Sequence, residues 1–559
     1  MITFAPMPSL AASLRCTFPI ALVAALSARA QTTASPLSHL EDAAPVPSGM
    51  LRMRVANVWS RFDQRFVLDG TTSLGAELSA DSLGSAQLPR LGPIEASLRT
   101  LATDPTLRLS LGWLHVGSNA RIVSTPISLE YGISRRLSMG VVVPIVETRR
   151  VAQATVRGEA LFANTGYVSP SSRADAAKIN AAVSNAYRKA ADSLGILLAR
   201  CPTNPSAAGC PAVNANVADA TAARARASAF ADAVTVLGTT APQVIVAPRA
   251  TSPLADTLEA RRVQLNQRLQ QYLGAGAGAS TSVFTAPTNF SYVDLQGRGG
   301  VPALLGGPLG GGLDSIHTTE RVGFGDIAVG ARFLVFDAFA ADSAPPPRLQ
   351  TRLVIGASVR FATSRSDSAQ SLVDIATGDG AGAEINSAWD VIVGHFGATV
   401  ATRYARFLER TVQASVVGDP EAPFPYPLFA ERKRRAGDVL GLDLTPRLLL
   451  TGSLSLDGHY GLEWRSATTY GPALAIPADP CGTCQSTAPA GETFVGLPRT
   501  AQRIGYGLRF STVDLYARRL ARYPIQVTYA HLETITGDAG LPKQARDQIE
   551  VRLFYRIRR

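Results

Sequence analysis

Beyond its first thirty residues this 559-residue chain nowhere holds the roughly eighteen consecutive apolar residues that a membrane-crossing helix needs. That excludes a polytopic helical membrane protein. Charge is also scarce, at 17% of residues with a mean hydropathy of +0.10, which excludes a charge-rich disordered chain. Lysine is nearly missing: Lys178, Lys189, Lys433 and Lys543 are the only ones, so the net charge of +11 rests on arginine. The arginines are spread singly rather than clustered among aromatics, so nucleic acid is not an expected partner. A soluble chain of this length would fold as about three to five domains. So little charge, together with 48 glycines and 36 prolines, argues for a different architecture.

Cysteine is sparse, and its placement depends on an export signal. Met1 to Leu14 carries no acid, Arg15 supplies a positive charge, and Phe18 to Leu26 is a short apolar run ending in Ala28-Arg29-Ala30. That three-part layout predicts a signal peptide over residues 1–30, cut before Gln31, rather than a short buried helix. Cys16 precedes the apolar run, which excludes a lipoprotein processing site, and it leaves with the signal. The remaining four form two local pairs, Cys201 with Cys210 and Cys481 with Cys484. In an oxidising compartment both are expected as loop disulfides. A redox dithiol at Cys481-Gly-Thr-Cys484 would need a thioredoxin-like βαβ setting, which the surrounding sequence lacks.

What the chain has in abundance is period-two alternation. Ile549, Val551, Leu553, Tyr555 and Ile557 alternate with Glu550, Arg552, Phe554, Arg556 and Arg558. Leu353 to Phe361 and the run Leu448 to Trp464 do the same. Further examples are Met50–Ser60, Phe66–Leu78, Leu107–Trp113, Ile122–Tyr131, Leu137–Ile145, Ile327–Val335, Ile385–Val393, Phe396–Tyr404, Ile504–Phe510 and Ile525–Tyr529. Strands of about ten residues with one apolar, aromatic-rimmed face predict an all-β fold, a transmembrane antiparallel β-barrel of about fourteen strands, with twelve as the alternative. A soluble sandwich is the competing architecture, but the polar faces here mix Gly, Ser and Arg as a lumen would.

Connection lengths offer a separate test, because bacterial barrels have short periplasmic turns and long external loops. Short connections are expected at Gly132–Arg136, Asp337–Leu349, Gly394–His395, Thr445–Arg447 and Thr512–Arg522. Long ones are expected at Arg150–Thr318, Thr363–Ala383, Glu409–Arg435, Arg465–Arg499 and Thr534–Arg546. This parity puts both termini in the periplasm. The segment Gly92–Thr103 reads as a helix after Pro93, expected on the periplasmic side. The resulting division is a signal over 1–30, a periplasmic segment over 31–48, first barrel strands over 49–152, an extracellular insertion over 153–317 and the remaining strands over 318–559.

The insertion is helical in pattern. Ile179, Val183, Ala186, Ala190, Leu194 and Leu197 recur at helical spacing, as do Leu254, Leu258, Leu265, Leu269 and Tyr272. Ser252, Pro253 and Gly274 punctuate the latter helix. Val217–Leu237 is a third, and the Gly-rich runs after Gly274 and Gly306 read as loop.

Motifs for chemistry are weak. Gly323-Phe324-Gly325-Asp326 precedes a strand rather than a helix, so it is no dinucleotide fingerprint, and Gly274–Gly278 lacks a Walker ending. The six histidines have no metal-ligand spacing. Asp374, Asp379 and Glu384 among glycines read as a solvated turn rather than a calcium loop. No cofactor, metal or catalytic residue is expected, and a barrel hydrolase would have to assemble its triad from separate strands. The charged face is more informative. Arg108, Arg332, Arg352, Arg360, Arg503, Arg509, Arg552 and Arg556 are expected in the lumen with Asp326, Glu384, Asp390, Asp457, Glu463 and Glu550. An arginine facing lipid at the midplane would cost about 2 to 4 kcal/mol. Such a lumen either favours anions or pairs its charges across the wall.

The segment Leu129-Glu130-Tyr131-Gly132-Ile133-Ser134-Arg135-Arg136-Leu137-Ser138-Met139-Gly140, running to Val143-Pro144, resembles a hairpin of the outer-membrane barrels grouped with transporters of the phenol meta-cleavage pathway. Gly323 to Ile327, Phe361 to Ser364 with Thr377 to Gly380, and the closing strand fit the same pattern. The resemblance implies the outer membrane of a diderm bacterium and a transport role, with no catalytic residues to carry over. The large helical insertion and the ending Tyr555-Arg556-Ile557-Arg558-Arg559 depart from it. Taken together, the sequence predicts a passive channel or transporter for small solutes, lodged in outer-membrane lipid by the barrel-assembly machinery, with the insertion gating or plugging the mouth. The alternative is a surface binding protein whose barrel is an anchor.

Overall fold

Twelve staves of antiparallel strand close on themselves in the computed structural model of this protein. The structure describes residues 43–557 apart from 45, 160–162, 297–303, 308–311, 340–348, 367, 478–490 and 518. The signal peptide and the Cys481–Cys484 pair therefore lie outside the described residues. In chain order the barrel strands are β1 (Met50–Val67), β2 (Trp113–Gly132), β3 (Leu137–Arg157), β4 (Thr319–Phe324) with β5 (Ile327–Asp337) as one interrupted stave, and β6 (Leu349–Phe361). They continue as β7 (Gly382–Val393), β8 (Phe396–Phe407), β9 (Val439–Leu449), β10 (Leu454–Arg465), β11 (Arg499–Ser511), β12 (Ile525–Gly537) and β13 (Pro542–Arg556). Closure is through β1, whose Met50 lies opposite Arg556 and whose Leu51 lies opposite Tyr131.

The count is twelve, not fourteen, because two alternating segments make no stave. Phe66–Leu78 ends β1, folds back as the short arm Gly70–Ser73 and closes in a single 3-10 turn at Ala76–Leu78. Leu107–Trp113 alternates because Leu109 and Leu111 are buried among helices, with no strand until Trp113. The run Leu448–Trp464 is two strands, since β9 and β10 are joined by the turn 450–453 rather than at Thr445–Arg447. The connection expected to be long at Thr534–Arg546 is the four residues 538–541. Otherwise the turns near the termini are the shorter set, and the opposite end carries 68–112, 158–318, 362–381, 408–438 and 466–498.

The outer face decides the solvent. Met53, Leu129, Met139, Ile355, Val359, Ile385, Leu442, Ile504, Leu508 and Leu553 are exposed on it, with Tyr404, Trp464 and Phe361 toward the long-loop end and Phe333, Phe396, Phe510 and Tyr555 toward the other. A continuous apolar band of this kind, rimmed by aromatics, is stable only against lipid. The chain is a transmembrane β-barrel. No described helix is long and apolar enough to cross a membrane.

Strands β2 and β3, at 20 and 21 residues, are twice as long as a bilayer requires, so they rise beyond it at the long-loop end. Helices α1 (Gly92–Ala102), α2 (Arg173–Arg200), α3 (Val217–Leu237) and α4 (Pro253–Leu273) gather there. The helix expected on the periplasmic side is α1, and it lies at this opposite end because β1 has already crossed. Each helix buries one stripe: Leu98 and Leu101 of α1, Val183 and Leu194 of α2, Ala227 and Val234 of α3, and Leu265 and Leu269 of α4 share one core. Ser252 caps α4 by accepting from the Ala255 N–H, and Gly274 follows in the left-handed region at φ 87°. Cys201 is disulfide-bonded to Cys210, tying the end of α2 to the short helix Cys210–Ala215.

Candidate functional site

The helical cap is continuous with the barrel mouth. Its core includes Leu114 and Val116 of β2 and Ala152 of β3, together with Leu372, Val373 and Phe424 from the neighbouring loops. Arg90, fully buried ahead of α1, donates to the Pro427 carbonyl at 3.0 Å and lies over the Tyr426 ring. Loop 362–381 also turns inward. Asp326, at the break between β4 and β5, accepts from the Ser364 and Gly380 N–H groups at 3.1 and 2.8 Å. Asp374 pairs with Arg321 at 2.9 Å, and Asp379 with Arg465 at 3.1 Å. Asp374, Asp379 and Glu384, expected in a solvated turn, are instead buried, each against an arginine, Glu384 against Arg360.

At the other end the N-terminal segment enters the lumen. Ala43 is buried against Leu334, Val354 and Ala388, and its N–H donates to Asp390 at 2.9 Å. Thr399 donates to the second oxygen of Asp390 at 2.7 Å, and Arg52 donates to the Ala44 carbonyl.

Between cap and N-terminal segment the lumen is an ordered array of charge. Four carboxylates each sit between two guanidinium groups. Glu130 meets Arg52 and Arg332. Glu550 meets Arg54 and Arg552. Asp457 meets Arg447 and Arg509, both at 3.1 Å. Glu463 meets Arg403 at 2.7 Å and Arg503 at 3.2 Å. Inward glycines make this reach possible: a Cβ at Gly441 would lie 2.6 Å from Arg403 Nε, so the arginine crosses β9 only because residue 441 has no side chain. Buried charges this close stabilise one another only as complete sets.

Two cavities of about 100 and 90 Å³ open within the array. The larger follows β8 to β13 below the cap; the smaller follows β1 to β7 toward the N-terminal segment. Arg360 and Glu384, paired at 3.1 Å, line both. That pair is common to the walls of both cavities.

Of the residues expected in the lumen, Arg332, Arg360, Arg503, Arg509, Arg552, Glu384, Asp390, Asp457, Glu463 and Glu550 face it, while Arg352 pairs with Asp337 near the short-turn end at 3.1 Å. Asp326 points in from a break rather than a strand, and Arg556 is exposed at the rim. Arg108 is a correction: it lies in the loop before β2, its side chain 78% exposed and 3.5 Å from Glu95 of α1, because Leu107–Trp113 is not a barrel strand. Sequence reasoning passed over Arg52, Arg54, Arg403, Arg447, Arg465 and Arg546. Strand parity would have found several of them, since Arg546 has the parity of Glu550 and Arg403 alternates with Val400, Thr402 and Tyr404.

No family model matches the sequence, and no curated protein does. Among solved structures the chain is similar to an outer-membrane channel from Pseudomonas putida F1, 9% identical over 92% of this chain and 98% of that one, with a TM-score of 0.37. It is also similar to the P. putida toluene transporter TodX, 9% identical over 91% and 90% with a TM-score of 0.24, and to the translocator domain of the autotransporter NalP from Neisseria meningitidis, 7% identical over 91% and 89% with a TM-score of 0.26. Likenesses this remote say nothing of what this chain carries.

Proposed function

We propose that this protein is a passive outer-membrane channel for small solutes, inserted by the barrel-assembly machinery, with a lumen that favours anions and a cap that gates its outer mouth. The observation that carries the reading is the array of carboxylates each shared by two arginines around two lumen cavities. The arginines shared around each carboxylate support pairing as one part of the reading, and their surplus over carboxylates supports the anion preference. An anchor needs no such interior; a path for solute does.

The cap's core includes the inner wall of β2 and β3, which favours a gate over an appendage that merely meets a partner. The test is single-channel conductance of the refolded mature chain in a planar bilayer under a salt gradient. Conductance with an anion-leaning reversal potential supports the reading, and a cation-leaning one removes the anion preference. Excising the cap should raise conductance. If the pore is unchanged and adhesion to a surface partner is lost instead, the barrel is an anchor. Arg360→Ala, which shortens a side chain lining both cavities, should raise conductance in the capless chain.

A further inference from the structure

The larger cavity holds more guanidinium groups than its carboxylates can use. Its lining includes Arg360, Arg403, Arg465, Arg499, Arg503 and Arg546 against Asp379, Glu384, Glu421 and Glu463. Glu384 is taken by Arg360, Asp379 by Arg465 and Glu421 by Arg499, while Glu463 is divided between Arg403 and Arg503. Arg546 is left over. It is 8% exposed, it faces the cavity from β13, and among the described residues its side chain makes no hydrogen bond or ion pair. Arg403, Arg503 and Glu463 line the same cavity. A buried cation that makes no ion pair, in a cavity lined by two other guanidinium groups, is unfavourable unless something neutralises it.

We infer that this cavity binds the carboxylate of a small organic acid, held by the planar fork of Arg546. The fork presents parallel N–H donors at the spacing of carboxylate oxygens. The rest of the lining combines Leu541, Leu497, Val439, Ala405 and Ala501 with Ser466, Thr468, Thr534 and Gln544, and its apolar part suits the hydrocarbon of such an acid better than a bare inorganic ion would. A cavity of about 100 Å³ admits a molecule of a few carbon atoms or a single ring presented edge-on. The inference rests on the channel reading for its meaning, naming the class of solute that pauses beneath the cap, yet the binding can be measured without conduction.

The experiment is thermal unfolding and titration calorimetry of the refolded mature chain in detergent, with sodium acetate and sodium benzoate against sodium chloride and sodium phosphate at equal ionic strength. A saturable rise in unfolding temperature with either carboxylate, absent with chloride and phosphate, is expected. Arg546→Met should fold, because it removes an unpartnered buried charge, and should weaken carboxylate binding at least about tenfold, while Arg546→Lys keeps the charge without the fork and should fall between. An equal response to all four salts, no response in a folded chain, or an undiminished response in Arg546→Met would each overturn the site. Conductance is scored separately: a silent bilayer with carboxylate binding intact refutes the channel and leaves the site standing.

Discussion

The two halves of strand β2 face different interiors. Toward the short-turn end its inward residues are Ser124, Ser128 and Glu130; toward the cap they are Leu114 and Val116, both fully buried. The outward face changes in the opposite sense, from Leu129 in the band to exposed His115 and Asn119 beyond it. Backbone parity is the same throughout, so what changes is the medium on each side. In the membrane, lipid takes the apolar face and the lumen takes charge. Above it, water takes the outer face and the helices supply an apolar interior. One strand therefore belongs to two structures that obey inverse rules, and the two should fail independently.

The largest expected effect is in the charged half. Asp457 is fully buried between Arg447 and Arg509, so Asp457→Ala strands two cations and should destabilise the barrel by about 3 to 5 kcal/mol. Urea unfolding in detergent would show it as a shifted midpoint, with the helical signal of the cap unchanged. A loss below about 1 kcal/mol would mean that lumen water screens the arginines.

The apolar half is tested by Leu98→Ala. Leu98 is fully buried in the shared core of α1, and truncation should cost the cap about 2 to 5 kcal/mol. Proteolysis should then enter the helices while the barrel keeps its folded electrophoretic mobility. If barrel and cap are lost together, the two halves of β2 form one cooperative unit and the comparison fails. Cys201→Ser is a milder version. Its disulfide closes a loop with a sequence separation of 9, for which chain entropy gives about 2 to 3 kcal/mol, confined to the cap.

The same division explains how much could be read from the sequence. Alternation located nearly every lipid-facing strand because lipid demands a strict period, and α4 was legible in its cap, its stripe and its terminal glycine. Alternation misled where its cause was not lipid: Leu107, Leu109 and Leu111 alternate against helices, and Arg108 was carried into the lumen with them. Pairing of the lumen charges was not legible, because Glu463 meets Arg403 across an intervening strand and Asp379 meets Arg465 from a folded-in loop. Contacts of that kind depend on barrel closure, which no local pattern records. Nor could parity place α1, which required knowing that β1 had already crossed.

The smallest effect contrasts a partly exposed ion pair with the buried array. In α4, Arg262 donates to both oxygens of Glu259 at 2.8 and 2.6 Å, Ser282 donates to it as well, and Arg262 also donates to the Ala279 carbonyl at 2.6 Å. The Arg262 hydrogen bonds, helped by Ser282, hold the Glu259 carboxyl down to about 2. A depressed carboxylate contributes its full stability above the ordinary glutamate range and loses it as pH falls from there through about 2. Glu259 is 44% exposed, so solvent screening should keep that contribution under about 1 kcal/mol. Cap stability measured by proteolysis should therefore be level from pH 7 to pH 5, and Glu259→Gln should lower it only slightly and make it less sensitive to salt. A Glu259→Gln effect as large as that of Asp457→Ala would contradict the comparison, because it would mean that exposure to water makes no difference to what a guanidinium–carboxylate pair is worth in this molecule.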